Sequence, residues 1–353
     1  MKPSARSPGD SARRNTFPMS ELTLLEWNAF LAGHPSAHLL QSGEWGELKS
    51  AFGWEPYRMV YGNTGAQLLF RHLPLGYSFA YIPKGPVIGN PSESLDADFW
   101  EDVDALCRSR KTIFLKVEQN IWSPVANGIP ASPLAGFVIS PQHVQPCSTL
   151  IIDLHGSEEE VFNRLKPKTR YNVRLAGRKE VVVHSSQDIQ NFYQVMSVTG
   201  QREKFHVHSL EYYRRAYDLF HPKGMCELFV ADFEGRTLAT LMVFAYGKQA
   251  YYFYGASSDE ERNRKATYPL QWKAICWAHA QGCEEYDMWG IPDDAQDVDE
   301  TELETREDGL WGVFRFKRGF GGVIKRSVPA LDRVYNPLLY KLYLWRYSAT
   351  GAD

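Results

Sequence analysis

Two stretches of this chain run through one order of elements without sharing residues, and that order narrows the folds open to it. PYRMVY and AQLLFR flank a Gly-Asn-Thr-Gly turn and predict a hairpin; GYSFAYI adds a third strand, a helix is expected over 95–109, and TIFLKVE is a fourth strand. From Ser148 the order returns. STLIIDL is a strand, CELFVADF and TLATLMVFAY form a hairpin about Glu-Gly-Arg, and AYYFYGAS follows. YPLQWKAICWAHAQG is a helix ending at Gly282, and EEYDMWG is a closing strand. Each half therefore holds an antiparallel meander, a crossover helix and a strand parallel to the meander's last one, because a crossover returns the chain in the same direction.

The expected fold class is α+β, with two units in tandem. A chain of 353 residues, 44% hydrophobic, can bury two cores. The division expected is a disordered tail over 1–19, a first unit over 20–147 together with 323–353, and a second over 148–322. The tail is rich in Ser, Pro, Gly and Arg, with too little apolar surface to offset the entropy of ordering it, and Met19 is a second candidate start. SELTLLEWNAFLAG reads as a helix with Ser20 as N-cap and Gly33 as terminator, and QSGEWGELKSAFG as another. Ser157 and Glu160 make a capping box, and Pro167 breaks the helix that follows. VPALDRVYNPLLYKLYLWRY is too short to be a domain and is expected to pack back on the first half.

The formal net charge of −3 argues against indiscriminate nucleic-acid binding, so anion recognition must come from local patches, and no DNA partner is expected. Five scattered cysteines lack zinc or disulfide spacing, which suits a reducing, cytoplasmic setting. No apolar run approaches the ~18 residues of a membrane span.

Meander, helix, parallel strand is the core plan of the GNAT (acyl-CoA N-acyltransferase-like) fold, here expected twice with a cleft between the copies. A GNAT enzyme using acetyl-CoA needs a glycine-rich loop before the crossover helix, where backbone N–H groups approach the pyrophosphate. The second half has SSDEERNRKATYP there and the first PKGPVIGNPSES, neither of them such a loop. CoA is not expected as a cofactor.

QSGEWGELKSAFGW, YIPKGPV, KPKTRYNVRLA, TGQREKFHVHSLEYY, YGASSDEERNRKATYPLQWKAI, YDMWGIP, FRFKRGFGG and VYNPLLYKLY, in this order over 39–343, together resemble the FemABX peptidoglycan aminoacyltransferases. The resemblance implies two GNAT-like domains and transfer of an amino acid from aminoacyl-tRNA, as co-substrate, to a diamino acid of a cell-wall precursor's stem peptide. The precursor is a UDP-linked or lipid-linked muramyl pentapeptide; contact with the inner membrane face belongs to the same expectation. Lys84 stands where the family more often has arginine. No long heptad run is present, so the chain resembles the compact members without a coiled-coil arm.

By resemblance, Lys317 in FRFKRGF is the lysine that stabilises the oxyanion of the tRNA ester under attack, with Phe316 beside it excluding water. Its bland alternative is a solvated surface lysine. Lys49 in QSxEWxxxK and Arg202 in TxxR match contacts to a precursor diphosphate, and Tyr254 matches a tyrosine of the substrate cleft; on a strand it is equally a core residue. The run from Arg164 to Lys179 carries no acid. Within it Lys168, Arg170 and Arg174, with Arg264 and Lys265, are candidate tRNA phosphate contacts, or a solvated helix face. Asp287 reads as a strand-end cap rather than a base, and Trp45 and Trp289 as packing residues. His206 and His208 alternate like strand neighbours but lack a third ligand, so no metal is expected. Rival readings are a GNAT-like enzyme with another activated acyl donor and a binder of precursor or RNA that has lost its chemistry.

Overall fold

A computed structural model describes residues 21–89, 97–123, 134–203, 205–295, 298, 305–306 and 309–350. The expected N-terminal tail, Ser20 and most of the acidic run before Gly309 lie outside them. In the first half, α1 (Leu24–Ala32) and α2 (Gly43–Ser50) lead into β1 (Glu55–Tyr61), β2 (Thr64–His72), β3 (Ser78–Pro83) and β4 (Val87–Ile88). Then α3 (Ala97–Ser109) crosses to β5 (Thr112–Glu118), followed by β6 (Val138–Ile139). The second half runs β7 (Ser148–Asp153), α4 (Glu158–Arg164), α5 (Pro167–Arg178), β8 (Val182–Ser185), α6 (Ile189–Glu203) and α7 (Leu210–Phe220). It continues with β9 (Cys226–Phe233), β10 (Arg236–Tyr246), β11 (Gln249–Ser257), α8 (Thr267–Ala280), β12 (Glu285–Gly290), α9 (Trp311–Arg318) and β13 (Val323–Arg326). Last come β14 (Leu331–Val334) and α10 (Pro337–Thr350).

Both sheets repeat the expected plan. The first has the order β1-β2-β3-β5-β14-β6, with β4 also on β2, and the second β13-β7-β12-β11-β10-β9-β8. In each, one parallel pair, β3 with β5 and β11 with β12, sits beside an antiparallel meander. The two GNAT-like domains differ in how that parallel strand is flanked. In the second domain its outer neighbour is β7, from the domain's own start; in the first it is β14, from the end of the chain.

Two details depart from expectation. The N-cap of α1 is Thr23, whose hydroxyl accepts from Glu26 N while the Glu26 carboxylate accepts from Thr23 N, so Glu26 three residues on selects the cap. The segment from 323 onward also divides between the sheets: Val323–Arg326 pairs with β7 of the second, and only from Leu331 does the chain join the first. Residues 327–330 bridge them, with Ser327 N donating to Cys147 O at 2.8 Å and Val328 N to Ile121 O at 3.0 Å. Ser157 and Glu160 do form a capping box, and Pro167 opens α5 after the break.

Three cores result. Phe99, Val103 and Cys107 of α3 cover the first sheet, and Leu270, Ala274 and Ala278 of α8 cover one face of the second. The third core is shared: Leu39, Trp45, Leu48 and Tyr81 pack with Phe192, Tyr213, Phe220, Phe244 and Tyr251. Burying such aromatics removes roughly 150–250 Å² each from water, so parting the halves would be costly.

The returning strand brings a buried ion pair. Asp332 is 1% exposed and accepts from Lys116 Nζ at 2.9 Å and from the Tyr340 hydroxyl at 2.7 Å. Asp332→Ala leaves Lys116 without its counter-charge and is expected to cost about 3–5 kcal/mol in urea unfolding. A loss below about 1 kcal/mol would show that water reaches Lys116.

Candidate active site at the parting of two strands

β11 and β12 run parallel through the pairs Gln249–Glu285, Ala250–Tyr286 and Tyr251–Asp287, and then part. At the same place the ladder between β12 and β7 skips register between Asp287 and Gly290, and Trp289 takes a left-handed backbone, φ 59°. A tryptophan there is strained, and strain of this kind persists only where surroundings enforce it. Here the enforcing group is Asp287. Its buried carboxylate accepts from Trp289 N at 2.7 Å and from the Thr149 hydroxyl, so it is the cap that the sequence suggested. The bulge turns the carbonyls of Trp289 and Gly290 toward one point.

Lys317 occupies that point. Trp311, Phe314 and Lys317 are the buried residues of α9, spaced by three, so the lysine continues an apolar stripe. It is 5% exposed, and its Nζ donates to Gly290 O at 2.7 Å and Trp289 O at 3.2 Å, with the Tyr252 ring 5.7 Å away. Burial brings its pKa down from the usual lysine range to about 7, the Asp287 charge opposing the fall. An ammonium has three N–H groups; among the described residues two are used and one is left over. Phe316 packs on Tyr268 and Phe320 at ring distances of 5.3 and 5.1 Å. The glycines of FRFKRGFGG let α9 approach: a Cβ on Gly319 would lie 2.4 Å from Thr169 Oγ1, and Gly322, at φ 88°, lies against Ile151 O.

The first domain reaches the same region with Lys84, 5% exposed, whose Nζ donates to Ser327 Oγ at 2.9 Å and faces the Trp122 ring at 5.5 Å. Burial lowers its pKa, and the charges of Glu118 and Asp287 pull it back up. Asp287 in turn is raised by burial and held down by its hydrogen bonds and by Lys84 and Lys317. One buried carboxylate thus lies in the field of a lysine from each domain.

Of the expected substrate residues, the structure joins two. Lys49 Nζ donates to the Tyr212 hydroxyl at 3.0 Å, between the rings of Trp45 and Tyr212. Tyr254 packs on Tyr213, next to Tyr212, at a ring distance of 5.1 Å, and burial pushes its phenol well up. Tyr212, on α7, was no candidate by itself, although it lies within TGQREKFHVHSLEYY. His208 stacks on it at 4.0 Å and is brought down to about 4 by burial, Lys49 and His206. His206 and His208 lie outside any strand, contrary to the alternation read from sequence. Arg202 stands apart: it donates to Ser257 O at 3.1 Å, at the end of β11, and pairs with Glu203 and Asp259. A cavity of about 210 Å³ opens beside Lys49, lined by Trp45, Trp54, Phe79, Tyr81, Lys116 and Tyr343 among others.

The basic candidates divide by use. Lys168 and Arg174 are exposed on α5, Arg174 over the Phe162 ring. Arg170 instead donates to the carbonyls of Asn163 and Leu165, closing α4. Arg264 donates to Lys179 O, pairs with Glu261 and lies on the Phe233 ring, and Lys265 beside it is half-buried at φ 60°.

A family model described as the FemAB family matches residues 22–123, 134–238 and 229–347. The chain belongs to the FemAB family. Like its relatives it is a transferase. The lipid II:glycine glycyltransferases of Staphylococcus haemolyticus and Staphylococcus aureus are each 25% identical to it, over 91% of this chain and 94% of theirs. The aligned lengths, 404 and 406 residues, exceed the 353 of this chain, so those FemAB relatives carry insertions that it lacks. The crystal structure of FemX superposes with a TM-score of 0.80 at 22% identity, over 92% of this chain and 99% of that one. L-PGS from Bacillus licheniformis shares the fold more distantly, at a TM-score of 0.54 and 14% identity over 92% of this chain and 97% of that one.

Because the Asp287 charge holds the Lys317 pKa up, Asp287→Asn is expected to move it further down. Carbon-13 shifts of reductively methylated protein, with Lys317→Arg as the assignment control, read this directly. An upward move would contradict the placement.

Proposed function

We propose that this FemAB protein moves an amino acid from aminoacyl-tRNA to the diamino-acid side chain of a peptidoglycan precursor's stem peptide. The observation that carries the reading is the buried Lys317 ammonium, fixed by two carbonyls with one N–H to spare. The acceptor amine attacks the ester carbonyl carbon and the carbonyl oxygen gains a charge. Lys317 donates to that oxygen. As the adduct collapses the ester C–O bond breaks, the amide forms, and the amine's proton ends on the departing ribose oxygen. No side chain is assigned as base. Fixing the donor beforehand avoids reorganisation during reaction, and removing such a group typically costs roughly 10²–10³ in rate.

The names of the staphylococcal relatives support a lipid-linked acceptor, and the Lys49–Tyr212–Tyr254 cluster beside the aromatic cavity supports binding of the precursor there. Exposed Lys168 and Arg174 suit the phosphates of a tRNA, whose binding then weakens steeply with salt. No cofactor enters this reaction.

Purified protein with a pool of charged tRNA and a lipid-linked pentapeptide precursor is expected to add one aminoacyl mass to the peptide, and ribonuclease to abolish it. Product surviving ribonuclease would replace the donor. Lys317→Met is expected to slow transfer roughly 10²–10³-fold, and an unchanged rate would remove its role. The pH dependence carries a sign: the oxyanion needs the charged form, which is lost as pH rises through about 7. The ratio of kcat/KM to that of Lys317→Arg, always charged, should fall across that range, because the acceptor amine's own deprotonation cancels in the ratio.

A further inference from the structure

The first domain also brings the end of a parallel strand pair to the junction of the halves, and ends it differently. β3 and β5 stay paired to Pro83–Glu118, and Gly85 N donates to Glu118 O at 3.1 Å, so these strands do not part as β11 and β12 do. Instead the chain takes a left-handed backbone at Lys84, φ 48°, and carries that side chain to Ser327 and Trp122. Like Trp289, it is strained and held so by its surroundings.

Two buried donors stand unused here. Lys84 Nζ has three N–H groups, and among the described residues only the Ser327 hydroxyl takes one. The carboxylates that act on it are engaged elsewhere: Glu118 accepts from the Tyr81 hydroxyl, Val144 N and Gln145 N, and Asp287 from Thr149 and Trp289 N. They balance its charge through space without taking its hydrogen bonds.

The second donor is His38, 3% exposed. Gln41 ties its segment to that of Lys84: Gln41 Nε2 donates to Pro83 O at 2.7 Å, and a Cβ on Gly85 would lie 2.9 Å from the Gln41 amide carbon. Because His38 Nδ1 accepts from Leu40 N at 3.1 Å, the neutral ring carries its proton on Nε2. Burial first, and the Lys84 charge second, keep the ring neutral. Among the described residues Nε2 has no partner, yet the buried unbonded side-chain atoms there are Trp100 Nε1 and Ser258 Oγ, so Nε2 is not sealed off. The ring lies 4.5 Å from that of Tyr251 and 6.1 Å from that of Trp289, beside the bulge that holds Lys317.

We propose that Lys84 and His38 form a subsite for a carboxylate of the acceptor peptide. Two oxygens on one group suit an ammonium and an imidazole N–H on adjoining segments. In a seam walled by Trp122, Tyr251 and Trp289 such bonds are stronger than in water. A peptide that sets its amine beside Lys317 brings its own acidic groups, at its C-terminus or within it, to the neighbouring seam. The subsite rests on the acceptor reading above and deepens it: the first domain selects acceptors by charge.

The test compares the pentapeptide precursor with two analogues, one amidated at the C-terminus and one at carboxyls within the peptide. The parent protein is expected to favour the acid over one of them roughly 10–100-fold in kcat/KM, through KM. Lys84→Met should use acid and amide alike, and Lys84→Arg should recover the preference. His38→Phe should lose part of it, and His38→Gln, which keeps an N–H, should not. Melting is compared throughout, and Lys84→Gln replaces Lys84→Met if the latter does not fold. Equal use of all three acceptors by the parent overturns the proposal, as does a preference that survives loss of the Lys84 charge. Equilibrium binding of the same three precursors without tRNA separates the two readings. A preference that appears there and vanishes with Lys84 supports the subsite even where no transfer occurs; transfer without preference upholds the function and removes the subsite.

Discussion

Trp45, Leu48 and Tyr81 of the first domain lie in one core with Phe192, Tyr213 and Phe244 of the second, so water is excluded from that surface only when both halves are in place. Pulling the halves apart would expose several large aromatics at once, at roughly 25 cal/mol for each Å² of apolar surface. The chain reinforces this packing by leaving the second sheet at Arg326 and entering the first at Leu331. A site with parts from both domains can then keep fixed distances without a hinge.

What this rigidity holds in place is an unfavourable arrangement. A lysine at 5% exposure and a tryptophan at φ 59° each cost free energy, and they meet at the same strand end. The compensation is local: Asp287 fixes the bulge, the bulge aims two carbonyls, and the carbonyls hold the ammonium. Lys84 brings a second cation from the other domain into the field of the same carboxylate. Burial that destabilises a cation also keeps water from screening it, which is the condition under which a single donor matters to a developing oxyanion.

The strands of the two meanders, both crossovers, the Ser157 cap and the break at Pro167 were legible because each rests on local spacing or on backbone chemistry within a few residues. The spacing of Trp311, Phe314 and Lys317 is local too, and it signals that the lysine lies on a buried stripe rather than in solvent. The cap of α1 was misread because two hydroxyls, Ser20 and Thr23, precede the helix and only the Glu26 partner distinguishes them.

Sequence by itself determined that the chain builds two units of one plan, and that its cations gather in a few stretches, since periodicity and charge are properties of neighbouring residues. Only the tertiary structure decided which cations are available. Arg170 and Arg264 are taken up by backbone carbonyls, Lys84 and Lys317 are buried around one aspartate, and Lys49 and Tyr254 meet at adjacent tyrosines that no spacing singled out. Arg170 aside, these partners are far apart along the chain, and a contact between them exists only once packing has set their separation.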